Sequence, residues 1–411
     1  MIPRGQLDIG WSDLASAAFG CLAGADREAK QRDLESLWAP EGDALACLSV
    51  RSGLDLLLGT LAYPKGSEVL VSAVTIRDMV KIVEHHGLVP VPVDLDMRTA
   101  TLKLDALARA CSLRTRAILV AHLFGARMPM DAISAFARRH GLLLGEDCAQ
   151  SFTGMDYRGD PASDVSLFSF GPIKTASALG GALLRIRDEG LRLRMRLRQQ
   201  GWPVQRRGRF LKRVLRFALV RLALCRAPFT ALCAACQLAG RNHDELISHS
   251  VRGFSGPDFF ASIRRQPSRP LLALLRRRLL RFEATRIARR TATAEAVAGL
   301  MAGVPRPGRD AGFHSYWTFP IRSASPDDLV RELWARGFDA TRGAWSLCAV
   351  PAPAHLPHLA APEAEAAMRE IVYLPVSPRL PRRKLEQLAA ATATIVERAP
   401  LAGGQPTIAV G

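Results

Sequence analysis

The sequence contains no run of eighteen or more apolar residues free of charge, which excludes an ordinary membrane-spanning helix. Its opening, MIPRGQLDIGWSDL, has no apolar signal core. We therefore expect a cytoplasmic protein. Acidic residues are scarce beside basic ones, 38 Asp and Glu against 56 Lys and Arg, and the formal net charge is +18. That balance points to an anionic partner: a phosphate-bearing substrate, an acidic lipid or nucleic acid. No nucleic-acid partner is expected, because neither an aromatic-interleaved basic strand nor a helix-turn-helix pattern is present. Eight cysteines are scattered along the chain. Cys233 and Cys236 form a C-x-x-C, but no second such pair and no nearby His pair completes a zinc site, so no metal is expected. There is no internal repeat.

What is present is a core large enough for two units. The 411 residues are 48% hydrophobic. Strand-like runs at Ala44–Val50, Glu68–Ser72, Leu88–Val93, Ala117–His122 and Val165–Phe170 alternate with helical patterns, which argues for a largely parallel α/β sheet. The chain is organised around Gly145–Gly181. An apolar run there ends in Glu146 and Asp147, with Gln150 just beyond. A second ends near Ser169, followed by Lys174 and the pair Gly180–Gly181. Sites form at strand ends in such sheets. A carboxylate and an amine placed this way suit pyridoxal 5'-phosphate, which needs a lysine for a Schiff base and an acid to keep its ring nitrogen protonated.

EDCAQ (Glu146–Gln150), FSFGPIK (Phe168–Lys174) and Gly180–Gly181 resemble, in order and spacing, the motifs of the DegT/DnrJ/EryC1/StrS sugar aminotransferases. These are fold-type-I pyridoxal-phosphate enzymes. The resemblance spans about residues 44–201 and 270–398. It implies a large cofactor-binding domain over 1–290 and a small α+β domain over 291–411. It also implies a homodimer, with glutamate as donor and a keto sugar, most simply nucleotide-linked, as acceptor. Lys174 would hold the cofactor and move protons, and Asp147 would pair with the pyridine nitrogen. Gln150 would lie near the ring hydroxyl. Ser52, Gly53 and Ser169 would bind phosphate, with Thr75 close by. Gln199 would reach the phosphate of a neighbouring subunit. Retention of Lys174, which family dehydratases replace with histidine, favours transamination.

Several positions depart from the family. Ile76 stands where an aromatic normally stacks on the cofactor ring, and Arg77 and Asp78 replace small residues. His122, at a strand end, reads as a pocket-lining or core histidine. The Gly-x-Asn-x-Arg segment is missing; only Arg252-Gly253-Phe254-Ser255 is found. Residues 203–252 form an insertion. On a helical wheel of 209–224, Arg209, Lys212, Arg213 and Arg216 share one face, and Leu211, Leu215, Leu219 and Leu222 cover much of the rest. Pro228 is expected to break this helix from a second, nearly charge-free one over 229–239. This composition suits an interfacial hairpin over 206–240 on an anionic membrane surface, or a basic face packed on the enzyme itself. Two alternatives follow: an aminotransferase for a lipid-linked or membrane-delivered keto substrate, or a non-catalytic cofactor-binding regulator.

Overall fold

The computed structural model describes residues 1–4, 7–22, 24, 26–246, 254, 258–343, 347–399 and 401. Its strands run in chain order: β1 (Ala44–Cys47), β2 (Glu68–Ser72), β3 (Val74–Thr75), β4 (Val89–Val93), β5 (Leu95–Asp96), β6 (Thr101–Leu102), β7 (Thr115–Ala121), β8 (Leu143–Asp147), β9 (Val165–Ser169) and β10 (Ala182–Ile186). Seven of them form one sheet in the order β1-β10-β9-β8-β7-β2-β4, parallel throughout except for β10. These strands are apolar on both faces because both faces are covered. β9 and β10 form the expected pair, with Gly181 N–H reaching Leu48 O.

Helices α1 (Trp11–Leu22), α2 (Arg27–Trp38), α3 (Val50–Leu61), α4 (Arg77–His85), α5 (Leu104–Ala110), α6 (Asp131–Arg139) and α7 (Glu189–Gln200) flank the sheet. One face carries an aromatic cluster in which Trp38 meets Phe168 edge-on at 5.1 Å, with Phe152 and Phe170 alongside. The other packs Leu54, Leu57, Ile82 and Met195 of α3, α4 and α7. A separate core joins strands Phe319–Arg322 and Ile371–Leu374 to helices Thr285–Gly299, Pro326–Ala335 and Arg382–Arg398.

Packing sets four local features, and one of them, the break in the insertion, corrects the sequence expectation. The N-terminal arm contains α1, whose Leu14, Ala17 and Cys21 are buried and whose Asp13 pairs with Arg277 and Arg278. The Arg-rich stretch after the insertion forms two helices, Arg269–Leu280 and Thr285–Gly299, because the chain turns where Phe282 meets Phe152 edge-on at 5.0 Å. Phe338 and Thr341 make single bridges, to Ile2 and Tyr373 respectively. The insertion folds as α8 (Arg207–Ala223) and α9 (Arg226–Leu238), and the break falls at Leu224–Cys225. Pro228 sits in the first turn of α9, where a helix needs no N–H.

Candidate active site

A cavity of about 550 Å³ opens at the carboxyl ends of the parallel strands. Ala121 and His122 reach it from β7, Asp147 from β8 and Ser169 from β9. The turn after β9 brings in Lys174. Phe170 O accepts from both Ala178 N–H and Gly180 N–H, while Ala176 N–H donates to Asp8. These bonds hold Ala176 and Leu179 at positive φ. Opposite, Gly125 (φ 102°) lets the chain from Ser315 to Trp317 close in: a Cβ there would lie 2.5 Å from Trp317 N. Trp317 in turn donates its indole N–H to Ile173 O. The Lys174 ammonium then lies 4.1 Å from the Trp317 ring centre.

Lys174 and Asp147 are both half-buried at the cavity wall. Desolvation lowers the Lys174 pKa to about 8, against the opposing pull of the Asp147 charge. Desolvation likewise raises the Asp147 carboxyl, and Ala149 N–H and Lys174 only partly offset it. Among the described residues Asp147 accepts one hydrogen bond, from Ala149 N–H at 3.0 Å. Its neighbour Glu146 faces away and is fully used. It accepts from His122 Nε2 (2.8 Å), Tyr157 OH (3.1 Å), Ser166 Oγ (2.9 Å) and Asp160 N–H (2.8 Å). Burial alone would raise the Glu146 pKa, but His122 and the Asp160 amide hold it at about 2. Met128 N–H donates to His122 Nδ1, so the ring proton sits on Nε2, toward Glu146. His122 thus braces the back of the site. His122, Glu146 and Cys148 also lie close enough to share a metal ion, but these hydrogen bonds already occupy the His and Glu atoms.

Of the residues expected from sequence, Lys174, Asp147, Gln150, Ser169, Thr75 and Ile76 line this cavity. Gln150 Oε1 is committed to Phe124 N–H at 2.7 Å. Ser52, Gly53 and Gln199 do not line it. Ser49 caps α3 and takes the Ser52 amide, and the Ser52 hydroxyl turns to Ser49 Oγ at 2.9 Å. Gly53 is where α3 presses on the sheet, since a Cβ would lie 2.9 Å from Leu184. Gln199 is buried and donates to Ala46 O and Cys47 Sγ, bracing β1. Phe254 lines the cavity; the rest of the expected 252–255 departure lies outside the described residues.

Four lining residues had no local signal: Arg51, Arg213, Arg290 and Trp317. Arg213, grouped by the helical wheel with Arg209, Lys212 and Arg216 on one basic face, lines the cavity and donates to Leu179 O. Burial, with repulsion from Arg209 and Arg216, lowers its pKa to about 10. The stripe of α8 that packs inward is Phe210, Val214 and Phe217, so the hairpin is anchored on the protein. Arg290 donates to Ser315 O and Thr175 Oγ1, and its Nη2 is buried with no hydrogen-bond partner. An unpartnered guanidinium nitrogen beside a cavity is a receptor for an anion.

This donor set fits pyridoxal phosphate: an amine of lowered pKa, a carboxylate with spare capacity, a hydroxyl at Ser169 and an unsatisfied guanidinium. A mostly parallel sheet with its cavity at the strand ends and a lysine after β9 defines a fold-type-I aminotransferase fold. The profile of the DegT/DnrJ/EryC1/StrS aminotransferase family matches residues 32–239, just over half the chain, and the protein belongs to that family. It is 36% identical over 168 residues to the GDP-perosamine synthase of Caulobacter vibrioides, covering 40% of this chain and 45% of that one. It is 28% identical over 358 residues to the dTDP-3-amino-3,4,6-trideoxy-alpha-D-glucose transaminase of Streptomyces venezuelae, covering 82% and 79%. At 35–36% identity the chain spans about half the length of the curated relatives it matches. The aminotransferase TlmJ from Streptoalloteichus hindustanus shares the fold, with a TM-score of 0.69 and 21% identity over 97% of this chain and 99% of that one.

Proposed function

We propose that the protein is a pyridoxal-phosphate-dependent aminotransferase that moves an amino group from glutamate to a keto group on a nucleotide-linked deoxysugar or related acceptor. The observation that carries this reading is the pairing of Lys174 and Asp147 across one cavity while Glu146, next in the chain, is consumed by structure. Bound there, pyridoxal phosphate supplies an electron sink for the carbon that loses or gains nitrogen. Lys174 holds the cofactor and, with a pKa near 8, takes and returns a proton close to neutral pH. Asp147 would pair with the protonated ring nitrogen, whose positive charge would offset the cost of burying the carboxylate. Ser169 and Arg290 take anionic groups of cofactor or substrate. Gln150 holds the Phe124 turn at the cavity rim, and Ile76 would cover the ring by dispersion. Arg51 and Arg213 add positive charge for a phosphorylated acceptor. The same reading takes the enzyme as a homodimer, as the family resemblance implies.

A second reading has the acceptor carried on a lipid. It is favoured by the apolar wall that the insertion gives the cavity, through Val220, Ala223, Leu224, Phe229 and Leu232. Absorbance spectra test the first half-reaction. With pyridoxal phosphate the protein should show a visible band that glutamate moves to shorter wavelength and that Lys174→Ala abolishes. A band indifferent to every amino donor would leave a cofactor-binding regulator. Product analysis with nucleotide-linked and lipid-linked keto sugars then separates the two acceptors.

A further inference from the structure

α1 exposes Trp11, Ala15, Phe19 and Leu22 along one stripe, at the i, i+4, i+8, i+11 spacing of a helix face. Trp11 is 49%, Phe19 72% and Leu22 78% exposed. α8 exposes Leu215, Leu219 and Leu222 in the same manner. The two helices lie antiparallel and side by side. Arg207 is near enough to act on the Cys21 thiol at one end, and Arg221 sits 5.5 Å from the Trp11 ring centre at the other while donating to Ile9 O. α9 continues the surface with Ala227, Ala231, Ala234 and Leu238, all exposed. Apolar stripes of this extent on three adjacent helices exceed ordinary surface scatter.

Charge says what meets this surface. No acidic residue occurs between Glu189 and Asp244. Arg207, Arg209, Lys212, Arg216 and Arg226 are exposed around the leucines of α8. Among the described residues no single helix is long and apolar enough to cross a bilayer. α8 and α9 together have the length and composition but bend by 88°. The buried Phe210, Phe217, Phe229 and Cys233 tie both to the protein. A second copy on a two-fold axis would bring the same cations against one another. A negatively charged bilayer meets both the apolar stripes and the cations.

We propose that the outer face of α1, α8 and α9 docks on the surface of an anionic lipid bilayer, leaving the cavity on the inner side of α8. This assignment does not rest on the aminotransferase reading, which spectra in the absence of lipid test separately. Co-sedimentation of the full chain with phosphatidylcholine vesicles, and with vesicles of phosphatidylcholine and phosphatidylglycerol in equal parts, tests it. Binding to the anionic vesicles should be at least about tenfold tighter. Leu219→Ser with Leu222→Ser should weaken it about tenfold, as should Arg209→Gln with Lys212→Gln. All four positions are exposed, so thermal melting should stay unchanged and separates lost docking from misfolding. Absence of binding to the anionic vesicles overturns the proposal. So does binding that ignores the leucine variants, which would be mere ion attraction. Leucine variants that split a dimer while vesicle binding persists also overturn it, and would assign the face to a second copy.

Discussion

Glu146 and Asp147 are adjacent in sequence, both at the end of β8, yet their surroundings push them in opposite directions. Glu146 meets four donors, and its carboxyl is held at about 2. Asp147 has one backbone donor and is raised by the burial that surrounds it. A strand turns successive side chains to opposite faces. One carboxylate therefore goes into the protein, where neighbours can be built around it, and the other goes to the cavity, where its partner must come from outside. A satisfied buried acid is scaffolding; an unsatisfied one next to a lysine is chemistry.

Substitution on the cavity side of this contrast should have the largest effect. Lys174→Ala should reduce transamination by roughly a thousandfold or more and remove the visible band, with the fold intact by circular dichroism. Asp147→Asn should lower turnover by about 10²–10⁴-fold while leaving thermal stability unchanged or slightly raised, since the neutral amide is easier to bury. If instead Asp147→Asn unfolds the protein and Glu146→Gln only slows it, the assignment is reversed.

Glu146→Gln should be felt in stability, by about 1–3 kcal/mol in denaturant unfolding, because an amide cannot accept all four of the donors that converge on the buried carboxylate. The pH dependence separates the residues further. Glu146 has a depressed folded pKa, so its contribution is present above about 4.5 and fades as pH falls toward about 2. The Gln variant should flatten that acid limb. Lys174 works in the opposite sense. Its folded pKa lies below the ordinary 10.5, so the unfolded chain binds more protons between about 8 and 10.5, and stability rises with pH there. Lys174→Met should abolish that rise.

The smallest effects belong to α3. Gly53→Ala should destabilise by about 1–3 kcal/mol through overpacking on Leu184. Ser49→Ala should destabilise by about 1 kcal/mol through the lost cap. Cofactor affinity in Gly53→Ala should stay near that of the parent in a fluorescence titration. A large loss would return Gly53 to the cofactor site.

Lys174, Asp147, Gln150, Ser169, Thr75 and Ile76 were legible because each lies at or just past a strand end, and a strand's alternation and termini are local properties. Ser52, Gly53 and Gln199, expected at the cofactor phosphate, do not line the cavity, for the converse reason. They sit on helices, where a rotation decided by packing sends a side chain to the cavity or to the core. For Ser52 the decision is a hydroxyl from Ser49, and for Gln199 the open backbone of β1. Helix α1 carried a readable signal in its Leu14, Ala17, Cys21 spacing. The hairpin's composition was read correctly as cationic and apolar, but the wheel could not tell which stripe packs inward.

By itself, then, the sequence determined the alternation of strands and helices, the parallel sheet, and the acid and lysine that end two of its strands. All of these follow from patterns within a few residues. Only the tertiary structure decided which of two neighbouring carboxylates is available, and that Arg213 turns into the cavity rather than out. It also brought Arg290 and Trp317 from far along the chain to stand beside Lys174. Those outcomes depend on which surfaces bury one another and which polar groups find partners there, and no local pattern encodes a partner more than a hundred residues away.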